Sequence, residues 1–403
     1  MPILGSSASQ SGKLSGVPTI GTATATSGTT ATVTFTTPTY TGKSGSVTYT
    51  ATSSPSGITG TSASSPITVS GLTAGTSYTF TVSGVNSTGA SAASAASNSI
   101  TPTAPEQGAF IVGGRAGSST SSILKLTFSN DSLSTLAATL SAVAAEFGGM
   151  ANSGTAGYTA GGFRAGEVST IDKLTFATEA SSVLGSTLSF SLSNQAGAFA
   201  NSGTAGYFAG GGSAPNQRST IDKITFSNDS KSTIGATLSP AVNGGNGGGS
   251  GFANSGTAGY VPGGTGGGGE ISSIQKLTFS NETRTTITAK LVGFMAGMSS
   301  FANSGTAGYM LGGVDTDGYL NNVQKLTFSN DTRTNVTPGL FLSKGYGAAS
   351  AKSGTAGYYA GGGDNGGNKT TIHKLTFSND TISNLAATVS RASAAGFANS
   401  GAL

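Results

Sequence analysis

The 403-residue chain has no cysteine and no tryptophan, a single histidine, and only 8% charged residues. Without cysteine, disulfides and thiolate metal sites are ruled out. With one histidine and no cysteine, triads of the Ser-His or Cys-His kind find little support. Nineteen Lys and Arg against fifteen Asp and Glu leave a net charge of +4. No basic run could neutralise several adjacent phosphates, so nucleic acid is not an expected partner. No apolar run approaches the ~20 residues of a transmembrane helix, so no membrane insertion is expected. The opening Met1-Pro2-Ile3-Leu4-Gly5-Ser6 lacks the basic and apolar regions of a signal peptide, which implies synthesis in the cytoplasm without an export signal.

What the chain has in quantity is glycine, 65 residues, together with Ser, Thr and Ala. Abundant Thr, Val and Ile at regular places favour short strands joined by turns over disorder. The dominant signal is a repeat. S-G-T-A-G-Y begins at Ser153, Ser202, Ser255, Ser304 and Ser353, each followed two residues later by G-G. A K-L/I-T-F segment follows; its phenylalanines are Phe128, Phe176, Phe226, Phe279, Phe328 and Phe377, spaced 48 to 53 residues apart.

Each repeat parses into four antiparallel strands. In the last copy these lie at 348–354, 355–360, 371–377 and 382–389. The first unit, from Ala109, lacks an inner strand, and 396–401 form an inner strand with nothing after it. Together the two orphans complete one blade, giving a six-bladed β-propeller over 106–403 closed by the C-terminal strand. The glycine pair after an aromatic-bearing strand resembles the kelch repeat. Leu136, Leu184, Ile234, Ile287, Val336 and Leu385 stand where kelch repeats carry an outer-strand tryptophan. The copper oxidases of that class need histidines and a cysteine that are missing here. Sialidase-type propellers need Asp-box motifs and an arginine cluster, also missing.

Residues 17–105 alternate apolar and polar residues at 30–36, 45–52, 67–69 and 77–85 between turn residues, the pattern of a β-sandwich. At G-L-T-A-G-T-S-Y-T-F-T-V the segment resembles a fibronectin type III domain. Leu72 and Tyr78 match that family's tyrosine corner, and Phe35 stands where a buried Trp is usual. Ser87-Thr88-Gly89-Ala90-Ser91 and the Ser-rich closing strand also match. Thr101-Pro102-Thr103-Ala104-Pro105 reads as a linker, and 1–16 as a flexible terminus or docking segment. The expected fold class is therefore all-β: an Ig/fibronectin-like sandwich followed by a kelch-like propeller.

In such a blade the first and third turns share one side. Their sequences, N-S-G-T-A-G and S-N-D/E-S/T, are nearly constant. The loops on the other side differ in every copy, at 163–167, 213–218, 314–319 and 364–368, and again at 190–198, 240–251, 294–299 and 341–348. Repeat arrays commonly bind through such variation. Arg164, Arg218, Phe294, Tyr319, Phe341 and Tyr346 are the expected contacts; the competing reading is drift in unconstrained loops.

Other motifs point to structure. His373 stands where other copies have Leu124, Asp172, Asp222, Gln275 and Gln324. Asp315-Thr316-Asp317-Gly318 opens like a calcium loop but lacks the downstream glutamate and reads as a turn. The N-x-S/T sequons at Asn130, Asn228, Asn281, Asn330 and Asn379 read as hairpin turns in which Asn and Asp bond their own backbone. Lys125, Lys173, Lys223, Lys276, Lys325 and Lys374 form a ring, as an anion site or as stems packed between blades. No catalytic residue, metal or cofactor is expected.

A leaderless, cysteine-free, Gly/Ser/Thr-rich chain joining these two modules resembles tailed-phage virion appendage proteins, particularly those of cyanobacterial viruses. The resemblance implies a non-enzymatic structural role on the particle exterior, as a head decoration, tail fibre or adhesin. Implied partners are other virion proteins (capsid, portal/collar or tail) and host surface glycans. Two other classes stay open: a bacterial surface or secreted carbohydrate-binding or carbohydrate-active propeller, and an intracellular kelch-type scaffold for a peptide.

Overall fold

The structure, a computed structural model, describes residues 13–42, 46–103, 106–163, 166–212, 216–244, 250–293 and 295–399. The chain is all-β and divides into two units, Met1–Pro105 and Glu106–Leu403.

Seven strands build the N-terminal unit: β1 (Thr19–Ala25), β2 (Thr30–Thr36), β3 (Thr48–Ser54), β4 (Thr59–Ser62), β5 (Ile67–Ser70), β6 (Thr79–Asn86) and β7 (Gly89–Ala90). They form sheets ordered β1-β2-β5 and β4-β3-β6-β7. Alternate side chains of a strand share a face, so β2 buries Val33 and Phe35, β3 Tyr49 and Ala51, β5 Ile67 and Val69, and β6 Phe80 and Val82. Phe35 packs on Tyr49 with ring centroids 4.5 Å apart. The buried Tyr78 hydroxyl accepts a hydrogen bond from the Thr73 amide at 3.1 Å, the tie expected of a tyrosine corner.

Two features of this unit escape sequence alternation. β1 and β4 carry mostly small or polar residues, and Ala23 is their single buried side chain. The closing segment pairs every third residue instead of every second. The amides of Ser91, Ser94 and Ser97 donate to the carbonyls of Gly84, Val82 and Phe80 at 2.8–2.9 Å. Their hydroxyls accept from the amides of the same three residues at 2.9–3.0 Å. The unit's entry is also tied down: the Lys13 carbonyl accepts from Asn86 Nδ2 at 3.0 Å, and the Gly16 amide donates to the Tyr40 carbonyl at 2.8 Å. The flexible segment expected over 1–16 therefore does not include 13–16; residues 1–12 lie outside the described residues.

Among the described residues, the C-terminal unit has six sheets of four or more strands, all with one strand order. Sheet 1 runs Ala395–Ala398, Gly108–Val112, Ser118–Thr127, Ser132–Ala144 from its first strand outward. Sheet 2 runs Gly148–Asn152, Ala156–Ala160, Val168–Thr175, Ala180–Leu192. Sheets 3 to 6 repeat the order starting from Gly197–Asn201, Phe252–Asn254, Ser299–Asn303 and Ala348–Lys352. Sheet 1 thus joins segments from the two ends of the unit, with Phe397 opposite Phe110 and Ala395 opposite Val112. Each first strand touches the first strand of the next sheet, and Ala395–Ala398 touches Gly148–Asn152, so the contacts run in a cycle.

The same contacts recur at each step of that cycle. An aromatic ring of the second strand stacks on the phenylalanine ending the third strand of the next sheet: Phe110 on Phe176, Tyr158 on Phe226, Tyr207 on Phe279, Tyr260 on Phe328, Tyr309 on Phe377 and Tyr358 on Phe128, with centroids 4.9–5.4 Å apart. The lysine ring is a ring of ion pairs to the neighbouring sheet: Lys125–Glu179, Lys173–Asp229, Lys223–Glu282, Lys276–Asp331, Lys325–Asp380 and Lys374–Asp131, at 2.5–2.8 Å. The acidic residue sits in the left-handed region, φ 50–55°, at the tip of its turn. This corrects the reading of the S-N-D turn. Its asparagine does bond its own backbone, as Asn130 does to the Ser132 amide at 3.0 Å; the acidic residue reaches across to the preceding sheet instead. Exposed ion pairs contribute about 0–1 kcal/mol and aromatic pairs about 0.5–1.5 kcal/mol beyond their burial. The stacks therefore carry more of the cohesion, and the ion pairs fix alignment.

The second constant turn, N-S-G, is a clasp as well. The Oδ1 of Asn152, Asn201, Asn254 and Asn303 accepts from the amide of Gly203, Gly256, Gly305 and Gly354 in the next sheet at 2.8–2.9 Å. The amides of Ser153, Ser202 and Ser255 donate to the next serine hydroxyl at 3.0–3.2 Å. The glycine of T-A-G-Y is fixed by an intruding ring. A Cβ on Gly157, Gly259, Gly308 or Gly357 would lie 2.0–2.1 Å from Phe397, Phe199, Phe252 or Phe301 of the preceding sheet. Met150 takes the aromatic's place against Gly206; where the small Ser350 takes it, opposite Tyr358, the glycine is replaced too, by Ala109 opposite Ala398.

Two outcomes follow from these interfaces. Ser350→Phe alone, forced against the Ala109 methyl, should lower stability by about 1–3 kcal/mol, and adding Ala109→Gly should recover it; urea unfolding of the four-member mutant cycle measures the coupling. The hydroxyls of Tyr158, Tyr207, Tyr260 and Tyr309 are held well above the ordinary tyrosine range by burial and by the carboxylates they donate to. Unfolded tyrosines ionise near pH 10 while these stay protonated. The stability they contribute is therefore full below that pH and declines as pH rises above it, readable as a falling melting temperature between pH 10 and 11.

Candidate functional site

The rim opposite the clasps carries the loops whose sequences differ. Their backbone is nonetheless one pattern repeated. At five of the six places where an outer strand turns back toward the next first strand, a residue sits in the left-handed region: Glu146 (φ 65°), Asn194 (49°), Gly297 (61°), Tyr346 (62°) and Ser393 (54°). Four of these are not glycine, and that conformation costs a side-chain-bearing residue about 1 kcal/mol or more. A head-to-tail chain of amide-to-carbonyl bonds links them: Gly244 to Asn194 (2.9 Å), Gly297 to Gly244 (2.8 Å), Tyr346 to Gly297 (2.8 Å), Ser393 to Tyr346 (2.6 Å) and Glu146 to Ser393 (3.0 Å). One residue before this collar, a β-bridge ties each return loop to the loop after the second strand: Ala145 to Phe163, Asn243 to Thr265, Ala296 to Val314, Gly345 to Gly363 and Ala392 to Arg115. Between sheets 2 and 3, the Gly212 amide donates to the Ser193 carbonyl at 2.6 Å. The varied side chains are mounted on a hydrogen-bonded frame.

Inside the collar the first strands pack closely. Gly149, Gly251, Ser299, Ala349, Ala395 and Gly396 line a cavity of about 20 Å³, room for about one water molecule.

Three loops of that rim form small hairpins, Thr265–Gly266 with Gly269–Glu270, Val314–Asp315 with Gly318–Tyr319, and Gly363–Asp364 with Gly367–Asn368. Asp315 Oδ1 accepts from the Asp317 and Gly318 amides at 2.9 and 3.1 Å, so D-T-D-G is a turn. Tyr319 stands edge-on to Tyr346, with centroids 6.0 Å apart and planes at 89°. The Tyr346 ring occupies the space that a Cβ on Gly297 would take. Burial pushes the Tyr346 hydroxyl up to about 12, with Tyr319 and Glu270 adding to it. Burial also raises the Glu270 carboxyl, and Asp315 raises it further.

The structure brings Tyr319 and Tyr346 together and leaves other expected contacts elsewhere on the rim. Arg218 lies over the exposed Phe190 ring, 4.6 Å from its centroid. Phe341 is 55% exposed, its ring 6.0 Å from that of His373. Arg164 and Phe294 lie outside the described residues. His373 is buried, with Nδ1 2.8 Å from Asn384 Oδ1; burial and the nearby Lys344 push its pKa down to about 3. Among the described residues no group of three or more His, Asp and Glu could hold a metal, and no helix is long and apolar enough to cross a membrane.

Sequence reasoning missed two buried cations behind this rim. Lys344 and Arg391 occupy the place held by Ala144, Val242 and Met295 in other sheets, all buried. Lys344 Nζ donates to the Gly361 and Thr371 carbonyls at 2.6 and 3.1 Å and lies 4.3 Å from the Tyr359 ring centroid. Arg391 Nη1 donates to the Gly113 and Ser122 carbonyls at 3.0 and 2.9 Å. Carbonyls and a ring stand in for counter-ions. Aligning the copies reveals both positions as a basic residue in an apolar column.

Residues 16–100 match the fibronectin type III domain family. The N-terminal unit is a fibronectin type III domain. Its tyrosine corner, two sheets and serine-bonded closing strand are the local form of that fold. A comparison with curated proteins finds no match to the chain.

Burial pushes the Lys344 ammonium down to about 7, from 10.5 when unfolded. Between those values the unfolded state binds the extra proton, so stability should rise with pH across that window. Lys344→Met, copying Met295, should remove the rise and stabilise the protein at pH 7 by a few kcal/mol (on the order of 2–4 kcal/mol), as read from urea unfolding at pH 7 and pH 9.

Proposed function

We propose that the C-terminal unit is a six-bladed, kelch-like β-propeller closed by Ala395–Ala398. We propose further that the chain is a non-enzymatic structural protein of a tailed-phage virion, as a head decoration, tail fibre or adhesin. The cycle of first-strand contacts and the cyclic set of six lysine–carboxylate pairs support the propeller. In this reading the N-terminal segment and fibronectin domain dock on capsid, portal/collar or tail proteins. The propeller projects from the particle exterior and contacts host surface glycans.

The observation that carries the reading is the contrast on the variable rim. Drift in unconstrained loops would loosen the backbone along with the sequence. Here the left-handed residues, the collar bonds and the loop-to-loop bridges recur while the side chains change. A fixed frame with varied side chains fits recognition. The carboxylates Glu270 and Asp315 on one stretch of rim favour a second reading, a bacterial surface or secreted carbohydrate-active protein, which glycan hydrolysis by the purified chain would select.

Immunogold labelling of purified virions should decorate particle exteriors, with the label lost in particles lacking the chain. Labelling confined to bacterial surfaces would refute the virion assignment.

A further inference from the structure

An asparagine followed by glycine can react with its own backbone. The glycine amide nitrogen lies one ring closure away from the asparagine side-chain carbon, and with no Cβ on the glycine nothing hinders the approach. Asn-Gly occurs three times in the chain, at Asn243, Asn246 and Asn365, each time followed by a second glycine. Asn246 lies outside the described residues. Asn243 and Asn365 share the sequence N-G-G and differ in setting.

Asn243 is held on every side. It is 5% exposed. Its amide donates to the Thr265 carbonyl at 3.0 Å, and its carbonyl accepts from the Thr265 amide at 2.9 Å. The next residue is tied as well. The Gly244 amide donates to the Asn194 carbonyl at 2.9 Å, and the Gly244 carbonyl accepts from the Gly297 amide at 2.8 Å. Turning the Gly244 nitrogen onto the Asn243 side chain would open this part of the collar.

Asn365 sits at the tip of the sheet 6 hairpin, beyond the pair Asp364 and Gly367. Asn365, Gly366, Gly367 and Asn368 are all exposed. Among the described residues, a Cβ on Gly367 would meet nothing within 4 Å. One on Gly366 would meet Asp364 Oδ1 at 3.2 Å and Lys369 Nζ at 3.7 Å. The Gly366 amide donates to Asp364 Oδ1 at 2.8 Å, so the hydrogen that the nitrogen must lose already rests on a carboxylate. The tip can turn without disturbing the collar.

We propose that Asn365-Gly366 is a self-modification site, where the folded chain deamidates far ahead of Asn243-Gly244. The Gly366 nitrogen bonds to Asn365 Cγ and gives up its proton. The side-chain nitrogen takes up a proton and leaves as ammonia, closing a five-membered succinimide. Water then opens the ring. Addition at the side-chain carbonyl gives aspartate; addition at the main-chain carbonyl gives isoaspartate, with one more carbon in the backbone. The sum is one water consumed and one ammonia released. Either product adds a negative charge beside Asp364. Isoaspartate also lengthens the hairpin whose Asn368 Nδ2 donates to the Arg115 carbonyl of sheet 1 at 2.7 Å. The proposal does not depend on the virion reading.

The test follows the full chain over time at a mildly alkaline pH, in native buffer and in guanidinium chloride, by mass spectrometry of tryptic peptides. Trypsin releases 353–369 with Asn365 and 232–276 with Asn243, and fragment ions assign the modified residue. In native buffer Asn365 should convert at least about tenfold faster than Asn243, and in denaturant the two rates should come within about threefold of each other. Both aspartate and isoaspartate should form. Asn365→Gln, which would have to close a larger ring, should lose the acidic species on ion exchange and keep its melting temperature. A smaller native gap, the same gap in denaturant, an Asn365 still intact when the unfolded chain has converted, or product without isoaspartate would overturn the proposal.

Discussion

At four of the six steps around the C-terminal unit, the spacing of neighbouring sheets is set by the close approach of one aromatic ring to one glycine. Phe199, Phe252, Phe301 and Phe397 each press against a peptide that has no side chain. The second strand of the next sheet can then come near enough for its tyrosine to stack on the following phenylalanine. That stack in turn brings lysine and carboxylate within 2.8 Å. The paired exception, Ser350 with Ala109, shows the same constraint from the other side: when the ring shrinks, the methyl returns.

Much of this was legible because the chain can be compared with itself. The repeat gave strand order, the number of sheets and the pairing of the unit's two ends. The acid partners of the lysines were not legible. Each lies 54–59 residues away in the next copy, or 243 residues away at the closing step. A turn motif read alone explains its aspartate locally. The fibronectin domain was visible through Leu72 and Tyr78, while β1 and β4 were hidden because small polar residues leave no alternation to read. On the rim, the aromatic pair Tyr319 and Tyr346 could be picked from loop variation. Glu270 could not, since a glutamate after four glycines gives no sign of a half-buried setting.

The two rims divide labour in the chemistry of their backbones. On one, side chains of Asn and Ser hold backbone amides of the next sheet, so sequence and structure are bound together and the turn sequence is nearly constant. On the other, backbone holds backbone, through the collar and the bridges. With the backbone so tied, Glu, Asn, Tyr and Ser can occupy equivalent left-handed positions. Lys344 and Arg391 extend the principle inward. Carbonyl oxygens left over from the turns solvate a buried cation where other sheets place methyl groups, so the frame tolerates a change of chemistry at its back as well as its front.

The pairing of Ala395–Ala398 with Gly108–Val112 imposes an order in time. A ribosome releases Gly108–Val112 nearly three hundred residues before its inner neighbour exists. Sheets 2 to 6 can assemble as they emerge, each leaning on the one before, while the first sheet waits with its edge open. The fibronectin domain, made earlier and with its sheets complete in themselves, has no such wait. Nascent chains stalled before residue 390 would therefore carry a finished sandwich and an unsealed array, the species most exposed to strand exchange with a neighbouring copy.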